Sequence, residues 1–440
     1  MPFKKRPVEV NPGPVADARP ARAPVCFGTS SPALVLLVGL ASGALLTLLV
    51  QRAATTSAAR ARRVGAGAAP SDRSSRQAAP WAGLVDFTPV LLVPPPENLA
   101  GLSCSPTPPT WTLASATPEA LEQLFEGVGL PAAQRAEARG FTSCVKGEGC
   151  VLRPPLAFVD GLTGVVRGQI YRRLAADSRN YFQYYAFRLH ADEIDPWFER
   201  SGMPPAVQSR MRALLYEQGD GLWSFADHPS MCGALRPGEE QRTYLRALHS
   251  ERSLTGRVRI PAGVDLRAVE RYWSAGGQSP EGVKARLRAL AESPDTSPDT
   301  SIDLAELLPP LARARLNTYP TPADPPGLNC HWAAMNFFSE HPDPALADWA
   351  SALAILERDY ERVPIEHARY GDILAITRGD PEELLHAAVY IHDGVYFSKN
   401  GRGLVRAFAL SRYDRIRELY PPVDGIHESL YRRRSAAIMD

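Results

Sequence analysis

Between residues 32 and 50 the chain carries no charged side chain; the 19 positions are almost wholly Ala, Leu, Val and Gly. A run of that length just reaches the roughly 20 apolar residues that a helix needs to cross a bilayer core. About 30 residues precede it, a longer leader than a cleaved signal peptide carries, so the expectation is an uncleaved transmembrane helix seated in membrane lipid. Basic residues lie on both sides (Lys4, Lys5, Arg6, Arg19 and Arg22 before; Arg52, Arg60, Arg62 and Arg63 after), and charge asymmetry therefore does not orient the segment. Gly39 and Gly43 form a small-xxx-small pair, the basis for expecting a weak homodimer through the anchor.

Cysteine arithmetic supplies the orientation. Of six cysteines, Cys26 precedes the apolar run and five follow it. If the folded part is extracytoplasmic, facing the periplasm or cell envelope, Cys104, Cys144, Cys150 and Cys232 can form two disulfides in any of three pairings. Cys330 is then left as a free thiol. The competing reading is a cytoplasm-facing domain with reduced cysteines that pack as small hydrophobes. Cys144 and Cys150 are six apart, wider than the usual zinc-ligand spacing, and no suitably spaced histidine pair follows, so neither a metal nor another cofactor is expected.

At 440 residues the chain is too long for one ordinary core, and its net charge of +1 gives no sign of a nucleic-acid partner. Residues 1–30 are Pro-rich and basic and read as disordered; 51–110 read as a linker, first Ala/Arg-rich and then Pro-rich. From 111 to 292 the pattern is mostly helical. Thr117-Pro118 marks a helix start, with Leu121, Leu124 and Phe125 on one face, and further helices are expected over 156–175, 204–217 and 239–248. No chemistry attaches to this region. The repeat Ser293-Pro294-Asp295-Thr296, Ser297-Pro298-Asp299-Thr300 marks a linker over 293–301. A last domain over 302–420 follows, and 421–440, with Arg432-Arg433-Arg434, reads as a solvated basic tail.

The chemistry converges on that last domain. Pro325-Pro326-Gly327 ends one segment, and the pattern from His331 to Ser339 then predicts a helix with Cys330 at its start. A thiol reacts as thiolate, which a helix N-terminus or a neighbouring imidazolium favours. Residues 384–391 form an apolar strand bearing His386, His392-Asp393-Gly394 a tight turn, and 395–398 the return strand, with 370–376 as a third strand. His386 is the candidate base, and Asn400, or alternatively Ser398, the polar residue that orients its ring.

This order, with Gly371 and Asp372 opening a Gly-Asp-Ile-Leu strand and His386 opening His-Ala-Ala-Val-Tyr-Ile, resembles the NlpC-type branch of papain-like cysteine peptidases. The resemblance covers roughly 328–420. It implies an α+β domain with a small antiparallel sheet packed on the cysteine helix, Cys330 as nucleophile and His386 as base. Asn329 and His331 flank the cysteine where that family usually carries Asp and Ser. The whole chain is thus expected to be α+β: a transmembrane helix, a mostly helical middle domain and a papain-like domain. Its expected activity is thiol-dependent hydrolysis of amide bonds, with peptidoglycan or another envelope peptide as partner. The alternatives are a papain-like acyltransferase and a catalytically inactive envelope-binding scaffold.

Overall fold

The computed structural model describes residues 83–219, 221–260, 264–274, 301–379, 382–420 and 425–434, together with positions 283, 285, 287 and 289. The expected disordered start, the apolar run over 32–50, most of the linker that follows it, and residues 293–300 lie outside the described residues. Among the described residues no helix is long and apolar enough to cross a membrane, so the transmembrane helix is not an element of the observed fold.

The middle region is not mostly helical. It contains β2 (Trp111–Ala114), β3 (Thr142–Val145), β4 (Gly149–Leu152), β5 (Phe187–His190), β6 (Tyr216–Gly219), β7 (Leu222–Phe225) and β8 (Glu251–Arg259), and the flanking segments add β1 (Val85–Leu92) before it and β9 (Ser301–Asp303) after it. These build three antiparallel three-stranded sheets in the orders β1-β8-β9, β2-β4-β3 and β5-β7-β6, with short helices between them. The physical reason for the discrepancy is strand length. Six of these strands are four residues long, too short to display a period of two, whereas the helices between them show their apolar faces plainly. The expected helix start at Thr117 is present, its hydroxyl accepting a hydrogen bond from Ala120 N at 3.2 Å.

Cysteine pairing is resolved as Cys104–Cys232 and Cys144–Cys150, and Cys330 is a free thiol. Cys144 and Cys150 face each other directly across the β3–β4 hairpin. The Pro-rich stretch read as linker is built into the fold. β1 pairs along all eight residues with β8, and the buried Asn98 amide donates to the carbonyls of Pro320 (2.9 Å) and Leu404 (2.8 Å).

Toward the C-terminus, β10 (Tyr360–Val363), β11 (Ile373–Arg378), β12 (Glu383–His392), β13 (Val395–Lys399), β14 (Phe408–Arg412) and β15 (Ile426–Arg433) form one antiparallel sheet of six strands, in the order β10-β15-β11-β12-β13-β14. The sheet is thus larger than expected. The arginine-rich end read as a tail supplies β15, an interior strand. There Arg432 clamps the buried Asp372 carboxylate at 2.7 and 3.0 Å, which gives the Gly-Asp pair a structural task. One face of the sheet packs on the helix Cys330–Met335 through Trp332, Ala333, Ala334, Ala387, Val389 and Phe397. The other face buries Leu374, Ile376, Ala388, Tyr396 and Leu430. Val258 and Trp273 from before the expected linker belong to the same core as the cysteine helix, so the core does not divide there.

Gly149 sits at φ +104°, where a Cβ would be driven into the Leu113 carbonyl oxygen and lie 2.7 Å from Ser115 N. Gly149→Ala is expected to cost at least the about 1–3 kcal/mol of a strained backbone position. Thermal denaturation followed by circular dichroism checks this; an unchanged midpoint would contradict it.

Candidate active site

Cys330 is the first residue of its helix, and Asn329 is the cap: its Oδ1 accepts from Trp332 N at 3.0 Å while its Nδ2 donates to Ala347 O at 2.7 Å. The residue before the cysteine therefore fixes the helix start rather than contacting solvent. The first backbone bond of the helix is Ala333 N to Asn329 O, 3.0 Å, which leaves the amides of Cys330 and His331 outside the helical ladder. The helix is only six residues long, so the acidity of the thiol depends mainly on its side-chain neighbours.

Those neighbours are two imidazoles. Burial alone would raise the Cys330 thiol, but the charges of His386 and His331 overcome it and hold the thiol well below its ordinary value. Burial likewise works to lower His331, and the facing Cys330 thiolate reverses this, so His331 rises. Hydrogen bonding of both imidazoles to the thiol adds to this charge effect, although Nε2 of His386 and both nitrogens of His331 are buried without a well-aligned partner among the described residues. The coupling thus combines charge with loosely aligned hydrogen bonds. His331 follows Cys330 directly, and nothing in the sequence pattern separates a surface histidine at that position from one turned against the thiol.

His386 reaches the thiol because β12 bulges. The ladder with β11 pairs Ile376 with His386 and then Thr377 with Leu384, which leaves Leu385 as the extra residue. The Leu385 carbonyl accepts from the Tyr420 hydroxyl at 3.0 Å and is also 3.9 Å from Cys330 Sγ. The Tyr420 ring meets His386 edge-on, with centroids 5.9 Å apart. Burial, the thiolate charge and the neighbouring Tyr185 and Tyr184 push the Tyr420 hydroxyl well above its usual range, so it remains a donor. Tyr420 was not singled out by sequence, because its position depends on Arg188 of β5, which donates to the Glu418 carbonyl at 3.1 Å.

The expected third residue is placed differently. Ser398 Oγ donates to Asn400 Oδ1 at 2.7 Å, and Asn400 Nδ2 donates to the Glu251 carboxylate, which comes from β8 in the middle region. Among the described residues no hydrogen bond joins Asn400 or Ser398 to His386. The structure therefore brings Cys330 and His386 together and commits Asn400 and Ser398 to Glu251. Between them lies Lys399, wholly buried, whose ammonium donates to the carbonyls of Gly401 (2.7 Å) and Gly403 (2.9 Å). Burial brings Lys399 down to about 8 against the opposing pull of Glu251 and Cys330, which puts a third cationic group, beside the two imidazoles, within the field of the thiol.

The thiol is 5% exposed. A cavity of about 220 Å³ lies further along the cysteine helix, lined by Met335, Phe337, Phe338, Tyr360, Ile373 and Val389 among others, and does not include Cys330.

If the imidazoles set the acidity, the alkylation rate of Cys330 rises with the thiolate fraction and reaches its plateau below the about 8.5 typical of a free cysteine. His386→Ala removes the largest favourable charge and leaves the burial, so the midpoint moves upward; His331→Ala moves it in the same direction by less. Iodoacetamide labelling followed by mass spectrometry across pH 5–10 checks both, and superimposable profiles in the three proteins would refute the assignment. No family model matches the chain, and no curated protein or solved structure matches it.

Proposed function

We propose that the protein is a thiol hydrolase that cleaves amide bonds through an acyl-enzyme. The observation that carries the reading is the packing of His386 and His331 against a free, buried thiol whose acidity they raise. In the proposed reaction the Cys330 thiolate attacks the carbonyl carbon while His386 holds the proton. The first-turn amides of Cys330 and His331 are available to the developing oxyanion. Collapse breaks the C–N bond, His386 gives its proton to the departing amine, and a thioester remains on Cys330. Water then adds to the thioester with His386 as base, releasing a carboxylic acid and restoring the thiol.

Peptides of a cell envelope are the proposed substrate class. They follow from the NlpC-like order of Cys330, the Gly371-Asp372 strand and His386, and from an extracytoplasmic location that suits two disulfides. A second reading, a papain-like module that binds without turning over, is favoured by two specific observations: the 5% exposure of the thiol, and the commitment of Asn400 and Ser398 to Glu251 instead of the imidazole.

Incubation with purified peptidoglycan and with synthetic acyl-amide libraries separates the two. Hydrolysis is expected to vanish in Cys330→Ala and to fall by about 10²- to 10⁴-fold in His386→Ala, the usual share of a general base. Asn400→Ala is expected to lower thermal stability more than kcat/KM, because its amide serves Glu251. Turnover that is unaffected by Cys330→Ala would rule out the thiol mechanism, and no turnover with any substrate would favour the binding module. Mass spectrometry of unreduced protein from its native host should show Cys104–Cys232 and Cys144–Cys150 joined and Cys330 free; reduced thiols throughout would reverse the location.

A further inference from the structure

Away from the thiol, three ligand-type side chains converge where the Pro-rich strap crosses the helix His228–Ala234. Cys104 on the strap is joined to Cys232 on that helix. His228 stands one turn before Cys232, so the two side chains share a face of the helix. The imidazole is fixed from several sides. Its Nδ1 lies 2.9 Å from the Tyr244 hydroxyl, and its ring stacks on Phe182 (centroids 5.8 Å apart) and on Tyr244 (5.5 Å). The remaining nitrogen, Nε2, is directed at Cys232 Sγ at 3.4 Å. All three donor atoms lie within 4.8 Å of one another.

The ring is held by Tyr244, Phe182 and a hydrogen bond to the Ser103 backbone, and the disulfide itself makes no use of the nitrogen beside Cys232. A metal ion does: bonds of about 2.0–2.1 Å to nitrogen and 2.3 Å to thiolate, at a tetrahedral angle, set the two donors about 3.5 Å apart. The observed 3.4 Å is close to that span. The contact of the far ring nitrogen with Tyr244 is the kind of outer hydrogen bond that fixes the tautomer and direction of a histidine ligand. Two sulfurs bonded to each other cannot both serve a metal as thiolates, so the disulfide and the metal complex exclude one another.

We propose that Cys104, His228 and Cys232 form a redox-gated site for a soft, tetrahedral divalent cation of the zinc type, closed as the disulfide and open as two thiolates and an imidazole, with water in the fourth position. Opening takes a two-electron reductant of the dithiol class. Its thiolate attacks the sulfur of Cys104, the less buried of the pair, and Cys232 leaves as thiolate. The second thiol of the reductant then displaces Cys104, so the reductant ends as a disulfide and the chain holds two thiols. Metal binding displaces their two protons, and re-formation of the disulfide by a disulfide oxidant expels the cation.

The test uses the full chain carrying Cys330→Ser, which removes the other thiol–imidazole cluster, with Co²⁺ as a spectroscopic probe. After anaerobic reduction, a thiolate-to-cobalt charge-transfer band and tetrahedral visible bands are expected to grow to a plateau attributable to this site. They should be absent in the oxidised protein, lost in Cys232→Ser, lost or no longer tetrahedral in His228→Ala, and retained in Cys144→Ser/Cys150→Ser. Tyr244→Phe should weaken cobalt binding by about 10- to 100-fold, the usual effect of removing an outer-shell partner. Near-ultraviolet circular dichroism reports whether the reduced chain keeps its fold. The proposal is overturned by a folded, reduced protein without the cobalt bands, by bands that survive Cys232→Ser, or by loss of the fold on reduction that cobalt does not restore.

Discussion

One buried carboxylate ties the candidate site to the rest of the molecule. Glu251 begins β8 in the middle region, yet its two oxygens serve the other half of the chain: one accepts from Ala407 N at 2.8 Å and the other from the Asn400 amide. Burial works to protonate it, against the pull of Arg406, the Ala407 amide, Asn400 and Lys399, so its environment is a contest between desolvation and a ring of donors and cations. Breaking such a contact exposes several buried groups at once, which makes it costly out of proportion to one hydrogen bond. The loop from Lys399 to Ala407 is held by it, and so is the position of the residue first expected to orient His386. A neighbouring tie, in which Leu410 N donates to Ser253 Oγ at 2.9 Å, fixes β8 against β14 in the same way.

The thiol itself is governed by the same kind of contest with the opposite outcome. Desolvation of Cys330 favours the neutral S–H, and only the nearness of two imidazoles reverses that preference. The arrangement depends on Asn329 capping the helix, on the bulge at Leu385 that re-aims β12, and on Tyr420 holding the freed Leu385 carbonyl. Each of these is a backbone device that serves the placement of a side chain. Lys399 adds a buried cation held by the Gly401 and Gly403 carbonyls and drawn by the charge of Glu251, and its pull on the thiolate is supplementary to that of the imidazoles.

How much was legible followed from the range of the interactions. Helix starts and hairpin turns are local. Cys330 at a helix start, and His386 before a turn whose Asp393 and Gly394 both take positive φ between β12 and β13, were readable from neighbouring residues. The unpaired state of Cys330 followed from an odd count and the even set before it. The middle sheets are less legible because most of their strands are short and pair across intervening elements: β5 is joined to β7 with two α-helices and β6 between them, and β2 to β4 with two α-helices and β3 between them. The C-terminal end departs from its sequence pattern for a related reason. Three consecutive arginines suggest a solvated end, but in β15 Arg432 is consumed by the buried Asp372, a partner 60 residues away.

By itself, the sequence determined the reactive residue types, their order along the chain, and which cysteine was left over, because these depend on composition and on contacts within a few residues. Only the tertiary structure decided that His331 turns inward, that Asn400 and Ser398 answer to Glu251, and that Tyr420 and Lys399 border the thiol. Those outcomes are set by which elements pack face to face and by which buried groups must satisfy one another there. That competition for partners takes place between distant segments, where local pattern carries no record of it.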